Sequence, residues 1–325
     1  MIKNILSNVS ITNHYPDQVL VTPITAVRFG KGPFAFFKSL YIQLTRYTGI
    51  LVFNPSFFWI LKSALFKLFS LGKIRIFYFD MLLHRPYSLK DSLKAFVVKI
   101  FLKLVDRFIF LHKDISGYSK YYGIPKSKSV YIPFKANNFD KISKYPIEDY
   151  GYLLSCGASY RDYKLLAEAL KLYPCPTKIV LPKNSLADYH HSIIDETSFG
   201  DTVEIIRHDF NPDSWYALLS KCCVVALPIR ADVIQCAGIS VYLEAMAFGK
   251  PVIITEGAAT RGMLTDEVAA LCPVGDATAF AAAIKKIMTD SAYRSTIALA
   301  GRRYALSLGG EDRLVKDILG VLKND

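Results

Sequence analysis

The sequence predicts an α/β protein with two domains, each a parallel sheet flanked by helices. Three observations predict it. Short apolar runs alternate with amphipathic blocks of helical length along the chain, at spacings that suit βαβ units. At 325 residues the chain is long enough for two cores. A polar stretch at Lys135–Asp149, containing Asn137, Asn138 and Pro146, interrupts the alternation as a linker would.

Hydrophobic residues make up 52% and charged residues 21%, which excludes a disordered chain. The net charge of +12 is unevenly spread. Residues 1–148 hold 22 Lys and Arg against 7 Asp and Glu, an excess of +15, whereas residues 149–325 hold 18 against 21, a balance of −3. A basic half points to phosphate, whether in nucleic acid, anionic lipid or a phosphorylated substrate. None of the six cysteines stands in a CxxC pair or a zinc-like spacing, so buried thiols in a reducing compartment are expected. Polar residues interrupt the N-terminal apolar stretch, and no secretory signal is expected. The uncharged run Tyr47–Leu61 is short for a membrane span and is broken by Asn54-Pro55.

In the first half, Gln18–Val21 is a candidate strand. Gly30-Lys31-Gly32 is a compact turn before a helical stretch, either a ligand-approaching loop or an ordinary one. Gly49–Phe53 predicts a buried strand and Phe57–Leu71 a helix whose only charges are Lys62 and Lys67. That helix packs on the sheet or lies on a membrane. Ile74–Phe79 predicts a strand with Asp80 and His84 following its carboxyl end, where open α/β sheets bind ligands. Asp80 and His84 are therefore candidate catalytic residues; a helix cap and a surface histidine are the alternatives. Leu93–Leu111 is a second basic-apolar stretch, with Lys94, Lys99, Lys103 and Arg107 against Asp106. A helix at Asp114–Tyr122, stopped by Gly123, and a strand at Ser129–Phe134 complete this half.

In the second half, strands are predicted at Tyr152–Cys156, Thr177–Leu181, Val203–Ile206, Val224–Pro228, Val252–Thr255 and Ala269–Cys272. Helices are predicted at Asp213–Leu219, Ile239–Phe248, Ala277–Met288, Ala292–Leu306 and Asp312–Leu322, and one begins after Asp162. Gly157 allows a tight turn after its strand, and Arg161 in the next turn is either a diphosphate clamp or a solvated arginine. Val224–Thr255 predicts strand, irregular loop, helix, Gly-Lys-Pro stop and strand. The amides opening that helix form a phosphate-binding place, since unpaired N–H groups and the helix dipole both favour an anion.

Three passages carry a family resemblance: LEAMAFGKPVII at Leu243–Ile254, PVGDATAFAAAIKKIMTD at Pro273–Asp290, and YLLSCGASYRDYKLLAEAL at Tyr152–Leu170. They resemble the donor-binding domain of GT-B glycosyltransferases of the retaining group 1 type, over roughly residues 150–305. The resemblance implies two Rossmann-like doubly wound domains facing across a cleft. Residues 1–140 would be an acceptor-binding, membrane-facing domain, 141–150 a linker and 151–305 the nucleotide-sugar domain. Residues 306–325 would be a helix that could pack back on the first domain.

It implies a glycosyltransferase using a UDP- or GDP-linked sugar, with no metal. The acceptor would be a lipid-linked saccharide or a polysaccharide at the cytosolic membrane face, and the configuration would be retained. A cytoplasmic enzyme peripherally bound to an anionic membrane is expected, and no nucleic-acid motif is present. In the family's Glu-x7-Glu motif, the second Glu, on the ribose, corresponds to Glu244. The first falls at Cys236, so Gln235 or the backbone near Gly238 would hold the sugar. The amides of Gly238, Ile239 and Ser240 match the diphosphate cradle, Gly157 and Arg161 the first loop, and His208 the nucleobase turn. The departure at Cys236 also leaves open a non-catalytic sugar-nucleotide or glycan-binding subunit of an assembly complex.

Overall fold

A computed structural model describes residues 3–11, 19–24, 46–137, 142, 144–157, 159–183, 192, 194–209 and 211–324. The predicted Gly30-Lys31-Gly32 turn lies outside them. The chain forms two compact units, Met1–Pro133 with Asp312–Asp325, and Phe134–Glu311. The division thus falls seven residues before the predicted boundary at 140.

The first unit holds β1 (Lys3–Ser7), β2 (Val19–Pro23), β3 (Gly49–Phe53), α1 (Phe57–Phe69), β4 (Arg75–Phe79), α2 (Leu89–Leu102), β5 (Arg107–Phe110), α3 (Ser116–Tyr122) and β6 (Ser129–Tyr131). Its sheet is parallel in every pair, in the order β2-β1-β3-β4-β5-β6. A sheet covered on both faces needs near-continuous apolar strands. GILVF in β3 and RIFYF in β4 supply them, with Leu51, Ile76, Phe77 and Tyr78 all buried. The capping box of Ser88 and Asp91 starts α2, and Gly123, in the left-handed region, ends α3.

Two features go beyond what the sequence predicted. The basic-apolar stretch Leu93–Leu111 divides between two elements: Lys103 caps α2, and Asp106 turns the chain into β5 by accepting from the Ile76 amide at 2.7 Å and from Lys67. And β1, the strand between β2 and β3, was not expected, because KNILS carries too few apolar residues to mark a strand.

The second unit holds β7 (Leu153–Cys156), α4 (Tyr163–Leu172), β8 (Thr177–Pro182), β9 (Val203–His208), α5 (Pro212–Lys221), β10 (Val224–Leu227), α6 (Ile239–Ala247), β11 (Val252–Thr255), β12 (Ala270–Cys272), α7 (Ala277–Thr289) and α8 (Ser291–Ser307). Its parallel sheet runs β12-β11-β10-β7-β8-β9. Renumbered within the unit this is 3-2-1-4-5-6, the doubly wound Rossmann order. The core packs Leu166 and Leu170 of α4 and Phe280 and Ile284 of α7 against Leu153, Val224 and Ile253. The helix after the second unit, α9 (Glu311–Asn324), groups with the first from Asp312 onward. Lys3 Nζ donates to the Lys323 carbonyl at 2.6 Å, and Leu314, Val315, Ile318, Leu319 and Leu322 are buried along one face.

Candidate functional site

In the second unit β7 and β10 are neighbours, yet the chain leaves them toward opposite edges of the sheet. This is the topological switch point, and the loops at its carboxyl end frame the crevice where such sheets bind ligands. The two loops are tied together by backbone. Asp162 N–H donates to the Pro228 carbonyl at 2.8 Å and Arg230 N–H to the Tyr160 carbonyl at 3.0 Å, with Arg161 and Ile229 in an antiparallel bridge. Thr255, ending β11, holds the second loop from beneath: its Oγ1 accepts from Ile229 N at 2.8 Å and donates to Ile229 O at 2.9 Å.

Gly157 leaves β7 at φ +105°, and the Arg161 side chain folds over it. A Cβ at position 157 would meet Arg161 Nη2 at 2.1 Å, so only glycine leaves this space. Arg161 is 2% exposed. Its Nε donates to the Cys156 carbonyl at 2.7 Å, its Nη1 to the Ser159 carbonyl at 2.7 Å, and its amide to Ser192 Oγ at 2.9 Å. Burial depresses its pKa. Arg161 is therefore neither a solvated arginine nor an open two-pronged fork. Two of its three side-chain nitrogens brace the loop.

The second loop holds Arg230 and Asp232 in a two-bond ion pair, Nε to Oδ1 at 3.1 Å and Nη2 to Oδ2 at 2.7 Å. Gln235 and Cys236 are both buried, and the Gln235 side chain bonds Tyr160 of the first loop. Gly238, at φ +90°, caps α6 without a side-chain hydrogen bond. Of the three cradle residues, Ile239 gives its amide to the Cys236 carbonyl at 3.3 Å.

Glu244 lies five residues further along α6 and is 7% exposed. Its Oε2 accepts from Trp215 Nε1 of α5 at 3.0 Å, and the Asn137 side chain is a second partner. Burial pushes its carboxyl above the usual range; the two hydrogen bonds and the nearby Lys135 charge oppose the shift without cancelling it.

The structure thus puts Gly157, Arg161, Gln235, Cys236 and Gly238 on two loops tied to each other at the switch point, and Ile239, Ser240 and Glu244 on the helix that follows. It places His208 elsewhere. Rather than forming a turn, Arg207 and His208 end β9, paired with Leu181 and Pro182, at the edge of the sheet two strands from β7. His208 lines a cavity with Tyr152, Lys178, Ala217 and Leu218, and Arg207 pairs with Glu196.

Asp80 and His84 belong to the first unit. Asp80 directly follows β4 at φ +50°, its amide bonded to the Ile109 carbonyl at 2.9 Å. It is not a helix cap. The His84 carbonyl accepts from Tyr122 Oη at 2.6 Å, and His84 lines a small cleft with Asp91 and Lys94; the Asp91 carboxyl is held below its usual range first by the Ser88 hydroxyl and least by His84.

Sequence reasoning missed Trp215, Asn137, Tyr160 and Thr255. Trp215 and Asn137 meet Glu244 from 29 and 107 residues away, and no local spacing signals that. The Arg230-x-Asp232 pair was visible as two charges in an otherwise apolar segment.

A parallel doubly wound pair of units with a crevice of this kind defines the GT-B class of α/β proteins. The chain has the fold of GT-B glycosyltransferases, and residues 187–290 match the sequence profile of the family described as glycosyl transferases group 1. Among solved structures it is similar to Anabaena HepE in complex with UDP, with a TM-score of 0.68, 16% identity and 100% of each chain covered. The complex of HepE with UDP-glucose gives a TM-score of 0.66 at 16% identity over 100% of each chain. Sucrose-phosphate synthase from Thermosynechococcus elongatus gives 0.63 at 16% identity, over 96% of this chain and 84% of that one. None of the curated protein sequences matches. The GT-B fold is thus found over the whole chain, as the resemblance implied, and the group 1 sequence pattern over residues 187–290.

Proposed function

We propose that this chain transfers a sugar, with retention, from a nucleotide diphosphate to a lipid-linked or polysaccharide acceptor at the cytosolic membrane face. The observation that carries the donor part is the switch point with its two tied loops, a helix start that no side chain caps and a buried carboxylate on the same helix. The start of α6 faces a diphosphate with N–H groups and the positive end of a dipole, at no reorganisation cost. The same groups favour the charge that develops as the diphosphate leaves, and one such donor is worth about 3–4 kcal/mol in related settings. Trp215 fixes one oxygen of Glu244, so the carboxylate is oriented to accept from vicinal ribose hydroxyls. UDP is the first nucleotide to test, because HepE was crystallised with it. The proposal requires no metal; GDP-sugars remain the second donor class.

Arg161 keeps a supporting role: its buried positive charge lies at the base of the first loop, near where the diphosphate would sit. His208 is assigned a contact with the base only if the nucleotide reaches the edge of the sheet. Asp80 and His84 are proposed as catalytic groups. Their alanine variants should lose turnover while donor affinity stays unchanged.

The main test is calorimetry of UDP-, GDP- and dTDP-sugars against the wild type and Glu244→Ala. Binding to the wild type, with at least tenfold weaker binding to the variant, is expected. Equal binding to both would remove the donor-site assignment. Cys236 favours a second reading, a non-catalytic sugar-nucleotide-binding subunit, since a buried thiol stands where the family has a sugar-contacting carboxylate. Donor binding without transfer or donor hydrolysis would select it.

A further inference from the structure

Two neighbouring helices of the first unit keep apolar side chains on the outside. In α2, Ala95, Val98 and Leu102 face inward. Leu89, Leu93, Phe96 and Ile100, at the i, i+4, i+7, i+11 spacing of one helical face, are 91%, 67%, 62% and 50% exposed. In α1, Ile60, Ser63 and Ala64 face inward, with Ser63 bonded to Tyr78 of β4. Phe58, Leu65, Leu68 and Phe69 are exposed, and Leu71, just beyond the helix, is 86% exposed. Soluble proteins scatter such residues singly, whereas here two adjoining helices present them as one surface.

The charges around this surface decide what it fits. Lys90 and Lys94 border the α2 stripe on one side, Lys99 and Lys103 on the other, and all four are exposed. Lys62 lies over the Phe58 ring at 4.9 Å and the Trp59 ring at 5.3 Å. The one acid of α2, Asp91, is engaged in the capping box. An apolar stripe edged by lysines on both sides is the pattern of a helix lying in a bilayer interface, with its lysines at the phosphates. A protein partner fits less well, because lysine is depleted from protein–protein interfaces. Nucleic acid would leave the leucine and phenylalanine stripe exposed.

We infer that the α1–α2 face seats the first unit on an anionic phospholipid surface, with the Leu89–Leu93–Phe96–Ile100 stripe in the headgroup–acyl boundary and the bordering lysines on lipid phosphates. This deepens the membrane part of the proposed function and rests on that part alone, not on the donor site.

The test is co-sedimentation of the full chain with vesicles of phosphatidylglycerol and phosphatidylcholine, and of phosphatidylcholine alone. Wild type should bind the anionic vesicles at least tenfold more strongly, less so at high salt. L93S/F96S should lower that binding at least tenfold, and K90Q/K94Q by about fivefold for each lysine. These positions are exposed, so circular dichroism and UDP-sugar calorimetry should match wild type in both variants. The inference is overturned if wild type ignores anionic vesicles, if both variants bind as well as wild type, or if the stripe instead supports a dimer or RNA binding that L93S/F96S abolishes. Calorimetry in the same samples separates the two proposals: lost donor binding with intact vesicle binding overturns the transferase reading only, and the converse overturns the docking only.

Discussion

At Glu244 the proposed donor contact and the stability of the empty protein oppose each other. Its carboxyl has a raised pKa, caused first by burial. A raised folded-state value means that the group's favourable contribution is present below the unfolded pKa and is lost as pH rises through the folded one. At neutral pH, above the unfolded value, keeping this carboxyl buried is therefore a cost to the empty protein. Glu244→Gln keeps an acceptor for Trp215 and removes that cost. It should melt at a higher temperature than wild type at pH 7–8 and at nearly the same temperature at pH 4, while binding the donor more weakly. Thermal melts at the two pH values, with and without UDP-sugar, check this.

Gly157 gives a second prediction at this scale. Gly157→Ala would hold a non-glycine residue at φ +105° and push the Arg161 guanidinium off its two carbonyls. A loss of about 1–3 kcal/mol is expected from urea unfolding.

What was legible at single residues follows the same division. The tight turn at Gly157 and the helix start after Gly238 were readable because both depend on local backbone. The brace role of Arg161 and the edge position of His208 were not, since both depend on where distant strands end.

At the scale of elements, α6 is positioned by α8 as well as by its own loop. Gly301 is the closest approach: a Cβ there would meet the Val268 carbonyl at 2.9 Å and Met246 Cγ of α6 at 3.2 Å. Gly301→Val should cost about 1–3 kcal/mol by overpacking, seen as a lower urea midpoint. Most elements could be read from apolar period and punctuation; β3 and β11 came out with the bounds predicted. The failures have physical causes. β1 is held by its neighbours on both sides and by the Asn8 side chain, which pairs with the Phe53 backbone beyond its end, so it needs little apolar sequence of its own. The stretch Leu93–Leu111 read as continuous because both α2 and β5 are apolar and basic. Asp106, the residue that divides them, acts through partners 30 and 39 residues away.

For the whole molecule, alternation along the chain announced two parallel sheets but not their order. Strand order is set by pairing between distant segments, and it is the 3-2-1-4-5-6 order that converts two loops into one crevice. α9 is the clearest case of distant pairing within one unit, its five buried residues completing a unit begun some 300 positions earlier. Removing residues 312–325 should uncover that apolar face and lower the unfolding temperature of the first unit. The second unit should retain its own transition and its UDP-sugar binding, giving two separated steps by calorimetry.

The position of α9 also has a consequence during synthesis. A ribosome finishes all six strands of the first sheet by residue 131, yet the helix that completes that unit emerges only after the entire second unit has been made. At ordinary elongation rates this leaves an interval of about 10–35 s in which the basic first unit is exposed without its closing helix, while the second unit behind it is already free to fold.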